Sequence, residues 1–137
     1  MAAFMYDKAR QAFLTGTPAI SWTSDTIKVA LVKSTYVPNS STDQYLSIIS
    51  AGDIIATSTA LANKTGTAGV AYADNPTFTA VTASLTVQAF VIYKDTGSSA
   101  TSPLIVYVDD YTGLPLATTG GDITINFPTD TNKIFKL

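Results

Sequence analysis

The chemistry open to this chain is carboxylate chemistry. All ten acidic residues of the 137 are Asp, and the sequence holds no Glu, no His and no Cys. Without His or Cys there is no Ser-His-Asp triad, no Cys-His pair and no His-based zinc site. No GxxxxGK[ST] loop and no GxGxxG fingerprint occurs. Carboxylates alone do suffice for glycoside hydrolysis, where two of them flank the scissile bond. Asp109-Asp110 is the only local acidic cluster. Neighbours in a strand point to opposite faces, so these two would not converge on one substrate. They precede "YTGLP", where Asp caps backbone donors in a turn. A turn or strand end is therefore the expectation, ahead of calcium binding or catalysis, and no DxDxDG loop supports calcium. Asp95-Thr96-Gly97 matches the aspartic-protease triplet, in which two carboxylates share a proton. Here one copy lies between "VIYK" and "SSATS", which reads as a hairpin loop. Trp22 and the seven Tyr would serve a carbohydrate groove, or more commonly anchor a core.

The elements that must position these residues are mostly strands. Charged residues make up 13%, Thr and Ser about a quarter, and Val and Ile are frequent, a composition that favours strands. The length fits one domain, 1–137, with enough chain for a core without staples. A net charge of −2, a single Arg and scattered Lys give no field or stacking platform for nucleic acid or an anionic membrane. No stretch has the apolar length of a membrane span, and "MAAFMYDKARQ" lacks the pattern of a secretory leader. No cofactor or metal is expected.

Residues 2–14 read as the one helix: Ala2, Met5, Tyr6, Ala9, Ala12 and Phe13 share a face, and Gly16 and Pro18 stop it. Phe4 and Leu14 lie off that stripe. Short strands follow at 19–22, 26–34, 53–61, 68–73, 77–82, 85–94, 103–109 and 122–127, about eight in all, with a helical turn at 46–52. The 26–34 segment alternates as a half-buried strand does. Ile134, Phe135 and Leu137 imply a C-terminus that is tied down. The expected fold is all-β, an antiparallel β-sandwich of jelly-roll type with one N-terminal helix.

One hairpin raises a question. "FVIY" and "LIVYV" are apolar on both faces, whereas an antiparallel strand with one wet face alternates. A loop centred on Ser98 and Ser99 puts Tyr93 opposite Leu104, Val91 opposite Val106 and Ala89 opposite Val108, as a core face. The other face then pairs Ile92 with Ile105 and Phe90 with Tyr107. Either the N-terminal helix or a second subunit must cover that face, and a one-residue slip would exchange the faces. On the subunit alternative, Phe90, Ile92, Ile105 and Tyr107 form the self-association face, and Lys at Phe90 and Tyr107 would yield folded monomers. The helix around Phe4 and the loop 36–45 are then the candidate contacts with another partner.

Three strings carry a resemblance: "FMYDKARQAFLTG" with "ISWTSDTIKVALV", then "TSTALANKTGTAGVAYADNPTFTAVT", then "FVIYKDTG" with "TSPLIVYVDDYTGLPLATTGGDITINF" and "NKIFKL". Together they span nearly the whole chain and are similar to a family of small tailed-bacteriophage virion proteins. They resemble capsid cement or decoration proteins, which have a jelly-roll fold and bind as oligomers over the joints of the head shell. The resemblance implies a non-enzymatic structural role in the virion, a homo-oligomer (dimer or trimer), and the major capsid protein as partner. A phage neck or connector protein, a glycan-binding tail or fibre module, and a small carboxylate enzyme are the alternatives.

Overall fold

A computed structural model describes residues 4–127 and 134–136. Its elements in chain order are β1 (Phe4–Met5), α1 (Asp7–Thr15), β2 (Ile27–Val32), β3 (Ile54–Thr57), β4 (Val70–Ala71), β5 (Thr77–Phe78), β6 (Thr86–Val87), β7 (Ala89–Lys94), β8 (Leu104–Val108), β9 (Leu116–Ala117), β10 (Ile123–Thr124) and β11 (Phe135–Lys136). The protein is all-β with one helix, as expected. A five-stranded antiparallel sheet runs β1-β8-β7-β2-β3, and three two-stranded ladders, β10-β5, β11-β4 and β6-β9, lie outside it. The architecture is thus sandwich-like. The two large sheets of a jelly roll are not found among the described residues.

Both faces of the five-stranded sheet are buried, which answers the question the hairpin posed. In β2 every residue from Val29 to Val32 is buried, so its expected half-buried alternation gives way to cover on both sides. One core contains Ile27, Val29, Leu31, Phe90, Ile92 and Ile105, roofed by Trp22, Leu61, Phe78, Val81, Ile125 and Phe127 from the smaller ladders and loops. The other contains Ala30, Val32, Val91, Tyr93, Leu104 and Tyr107, roofed by Tyr6, Ala9, Tyr36, Leu46 and Ile49. The cover on that second side is the chain's own helix and its β2–β3 connection.

Register explains how the faces divide. Tyr93 pairs with Leu104 as expected, but Ile92 pairs with Val106, leaving Ile105 as an extra residue in β8. A bulge of this kind sets two residues against one and turns the strand. Ile105 and Val106 therefore enter the same core, and Tyr107 passes to the opposite face. A second bulge repeats the device in β3, where Leu31 pairs with Ala56 and Val32 with Ile54. There Ile55 is the extra residue, and it and Ala56 pack on the same core.

The helix starts later than expected. Phe4 and Met5 pair with Tyr107 and Val106, so this stretch is strand, and the helical stripe begins only at Asp7. Ladder bonds from β8 outweigh local helical preference here, and Tyr6 continues the pairing by donating its N–H to the Ile105 carbonyl at 3.0 Å. Ala2 lies outside the described residues. Ala9 and Ala12 are buried, small enough to let α1 approach β8 closely. Gly16 ends the helix at φ 75°, its N–H bonded to the Ala12 carbonyl, a left-handed cap that glycine adopts without a steric cost. Phe135 pairs with Ala71 and stacks edge-on against Trp22, so the described part of the C-terminus is tied down; Leu137 lies outside the described residues.

Candidate interaction surface

The face closed by tyrosines is built around one polar chain. The Tyr36 hydroxyl donates to Asp43 Oδ2 at 2.7 Å, and the Tyr6 and Tyr36 hydroxyls are 2.7 Å apart. A carboxylate only accepts, so the Tyr36 proton is committed to Asp43 and Tyr6 must donate to Tyr36. The Asn39 N–H also donates to Asp43 Oδ2, at 2.9 Å. Asp43 is buried, and these donors replace the water it gives up. Burial is the main reason that the Tyr6 and Tyr36 phenols are pushed well above their ordinary value, with Asp43's charge adding to both. Phe4 completes the cluster. Its ring stacks on Tyr107 at 5.2 Å and meets Tyr6 edge-on at 5.3 Å, while Tyr36 meets Tyr107 at 6.1 Å.

This network ties the β2–β3 connection to the N-terminal segment. Besides the tyrosine bond, the Asp7 N–H donates to the Ser40 carbonyl at 2.8 Å. Within the loop, Asn39 Oδ1 accepts the Ser41 and Thr42 N–H groups, an Asx turn. Farther on, Leu46 N–H donates to Ser102 O, and Leu104 N–H to Gln44 O, both at 2.8 Å. Lys33 N–H reaches Asp53 O, and Thr35 Oγ1 donates to Asp53 Oδ1. The loop is pinned along its length, yet Val37 is 79% and Ile48 56% exposed. Residues 34–63 contain no Lys or Arg, and their two carboxylates, Asp43 and Asp53, are engaged by Tyr36 and Thr35.

The structure therefore joins two segments that the sequence named separately, the region of Phe4 and the loop 36–45. It also corrects the proposed self-association face. Phe90, Ile92 and Ile105 lie in one core and Tyr107 in the other, and all four are buried by the chain's own residues. Phe4 is half-buried beside Tyr107 alone of that set. Tyr36, Asp43, Val37 and Ile48 escaped individual notice in the sequence. The "VPNSSTD" stretch does carry the Asx-turn signal, but nothing local says that a distant Tyr6 will meet it.

The other chemical candidates resolve into structure. Asp95 pairs with Lys28 at 2.7 Å and accepts the Gly97 N–H at 2.9 Å. The Lys28 bond first, then the Gly97 N–H, holds its carboxyl below the usual carboxylate range. That is a hairpin loop fastened to β2, with Lys94 bridging to Asp25 beside it at 3.1 Å. β8 ends at Val108, so Asp109 and Asp110 fall at a strand end, the first half-buried with one enclosed oxygen lacking a hydrogen-bond partner, the second exposed. Among the described residues no three carboxylates converge on a point where a metal would sit. Trp22 is buried, its Nε1 donating to Tyr72 O at 3.1 Å, and Tyr6, Tyr36, Tyr93 and Tyr107 are buried as well. These rings anchor cores, and Trp22 also borders a small apolar cleft with Phe13 and Phe135. Among the described residues no helix is long and apolar enough to cross a membrane. No protein-family model and no curated protein matches the chain.

Proposed function

We propose that this chain is a non-enzymatic structural protein of a tailed-phage virion, which binds the assembled head shell as a cement or decoration protein. The resemblance of its sequence strings motivates the virion setting. The observation that carries the binding role is the pinned β2–β3 connection, which holds Val37 and Ile48 out in solvent. Ordering that loop in advance lowers the entropic cost of docking, because little freedom remains to be lost. Its partner in this reading is the major capsid protein, and the site needs no cofactor. A ligand that binds only the assembled shell stabilises that shell by mass action, and repetition on a symmetric lattice sums modest sites.

Quantitative mass spectrometry of purified virions tests the reading. A copy number comparable with the major capsid protein, on the order of hundreds for lattice coverage, is expected. A count near a dozen moves the protein to the neck or tail, and absence from particles overturns the virion reading altogether.

A further inference from the structure

The five-stranded sheet ends on β3, and no strand among the described residues pairs with its outer side. Ladder bonds alternate along an antiparallel strand, so every second residue turns its backbone groups away from the neighbour. On the β2 side, Ser58 N–H donates to Val29 O at 2.8 Å and Lys33 N–H to Asp53 O at 2.9 Å, while Thr57 pairs with Ala30 between them. Thr57 therefore aims its N–H and C=O outward, and it is exposed. Natural edges are guarded by charge, by Pro, by a bulge or by cover. Residues 54–63 hold neither a charged residue nor Pro, and the bulge at Ile55 guards only the start of β3.

A cleft of about 310 Å³ continues that edge, walled by residues 59–62, which run on from β3, and by 74–77. Thr59 is two residues beyond Thr57, about 7 Å along an extended chain. The cleft's one charged residue is Asp74, and no Lys or Arg lines it. Asp74 is held in place: its N–H donates to Ala62 O at 3.0 Å, and its Oδ2 accepts from Asn63 Nδ2 at 2.5 Å. That side-chain partner is neutral, whereas Asp7, Asp25 and Asp95 each pair with Arg or Lys. Leu61 and Pro76, both buried, give the cleft apolar walls. A carboxylate without a countercharge beside apolar walls suits an ammonium on a methylene stem, because Lys lays its stem along apolar surface and offers three donors at its end.

We infer that β3 and this cleft together receive an extended, lysine-bearing segment of a partner protein, whose backbone bonds to Thr57 and whose ammonium reaches Asp74. Strand addition of this kind takes affinity from main-chain bonds and specificity from side-chain pockets. The open edge calls for a backbone, and the lone carboxylate calls for a cation on it. This deepens the shell-binding reading by naming the segment that the partner offers, and rests on that reading only for the partner's identity. Virion counting tests the shell, whereas the experiment below uses the purified chain and a synthetic peptide.

Amide resonances of the isotope-labelled full chain are followed by NMR while a capped peptide of sequence TVKVT is added. Shifts are expected at 54–62 and 74–77, and exchange of the Thr57 amide, fast in the free chain, slows as the peptide saturates. Asp74→Asn, or Gln in place of the peptide's Lys, weakens binding about threefold, the size of a partly solvated ion pair. Thr57→Pro removes the outward N–H and leaves the β2 ladder whole, and it weakens binding about tenfold. If Thr57→Pro folds poorly, protection of the wild-type amide and the Asp74→Asn titration still decide. No shift at millimolar peptide, shifts confined to another surface, an unprotected Thr57 amide, or equal binding of the Lys and Gln peptides overturns the proposal.

Discussion

The two faces of the central sheet are closed by different means. On one side the aliphatic and phenyl groups of Phe90, Ile92, Leu31 and Phe127 share one hydrophobic cluster. On the other, four tyrosines share the space with small residues, and two of their hydroxyls lead to a buried carboxylate. The first face is held by apolar area, worth roughly 1.5–3 kcal/mol for each fully buried large side chain. It tolerates no charge, and its roof is held by scattered single bonds, such as Trp22 Nε1–H to Tyr72 O at 3.1 Å and Phe127 N–H to Asn75 Oδ1 at 2.7 Å. The second face uses bonds of fixed direction, which set where the β2–β3 connection lies and hence where Val37 and Ile48 point. The contrast is that apolar packing closes a core, whereas the polar chain also fixes a surface. The apolar run of the hairpin has two dry faces within a single chain, so it is no signature of a missing subunit.

Breaking the aliphatic face should have the largest effect. Phe90→Ala is expected to lower stability by about 3–5 kcal/mol in denaturant unfolding, and Lys at Phe90 and Tyr107 together should leave the chain unfolded, not monomeric. Next comes the tyrosine chain. Tyr36→Phe strips Tyr6 of its acceptor and Asp43 of a donor, a cost of about 1–3 kcal/mol, and a double-mutant cycle with Tyr6→Phe should show coupling between the two.

Alkali should separate the faces in the same direction. Burial raises the phenols of Tyr6, Tyr36, Tyr93 and Tyr107, that of Tyr93 to about 12. The native state then keeps protons that the unfolded chain releases above its ordinary value of about 10, so stability is whole below that pH and falls as pH rises toward the folded values. Unfolding midpoints should stay flat up to about pH 10 and drop beyond it, less steeply in Tyr93→Phe. The smallest effect belongs to the hairpin loop. Asp95→Asn should cost at most about 1 kcal/mol at neutral pH, because its partner Lys28 is partly solvated. Asp95's folded value is depressed, so the difference from wild type should fade as acid protonates the carboxylate.

Much of the fold was legible where the pattern is local. β2, β7 and β8, the Asp95-Thr96-Gly97 turn, the stop at Gly16 and the helical turns near Leu46 follow from period and punctuation. Three features did not. "AISW" is apolar enough for a strand, yet Ser21 and Asp25 bond one another across a turn, through Ser21 N–H to Asp25 Oδ2 at 2.7 Å. Phe4 and Met5 suit a helix by spacing, but β8 offers them a ladder. The bulge at Ile105 was invisible because β8 is apolar on both faces, so a one-residue shift leaves no polar residue misplaced to betray it. The same ambiguity assigned Tyr107 to the wrong partners. The candidate surface was half legible: the loop and the Phe4 region were named, but the bond from Tyr6 to Tyr36 spans 30 residues and has no local signal.

The most direct test of the account is the occupancy of phage particles by Val37→Lys/Ile48→Lys chains, counted by quantitative mass spectrometry against wild type. Both side chains are exposed, so the variant should fold with its stability changed by no more than about 0.5 kcal/mol. The account predicts particles nearly empty of the variant beside full wild-type occupancy. Wild-type occupancy by the folded variant would contradict it.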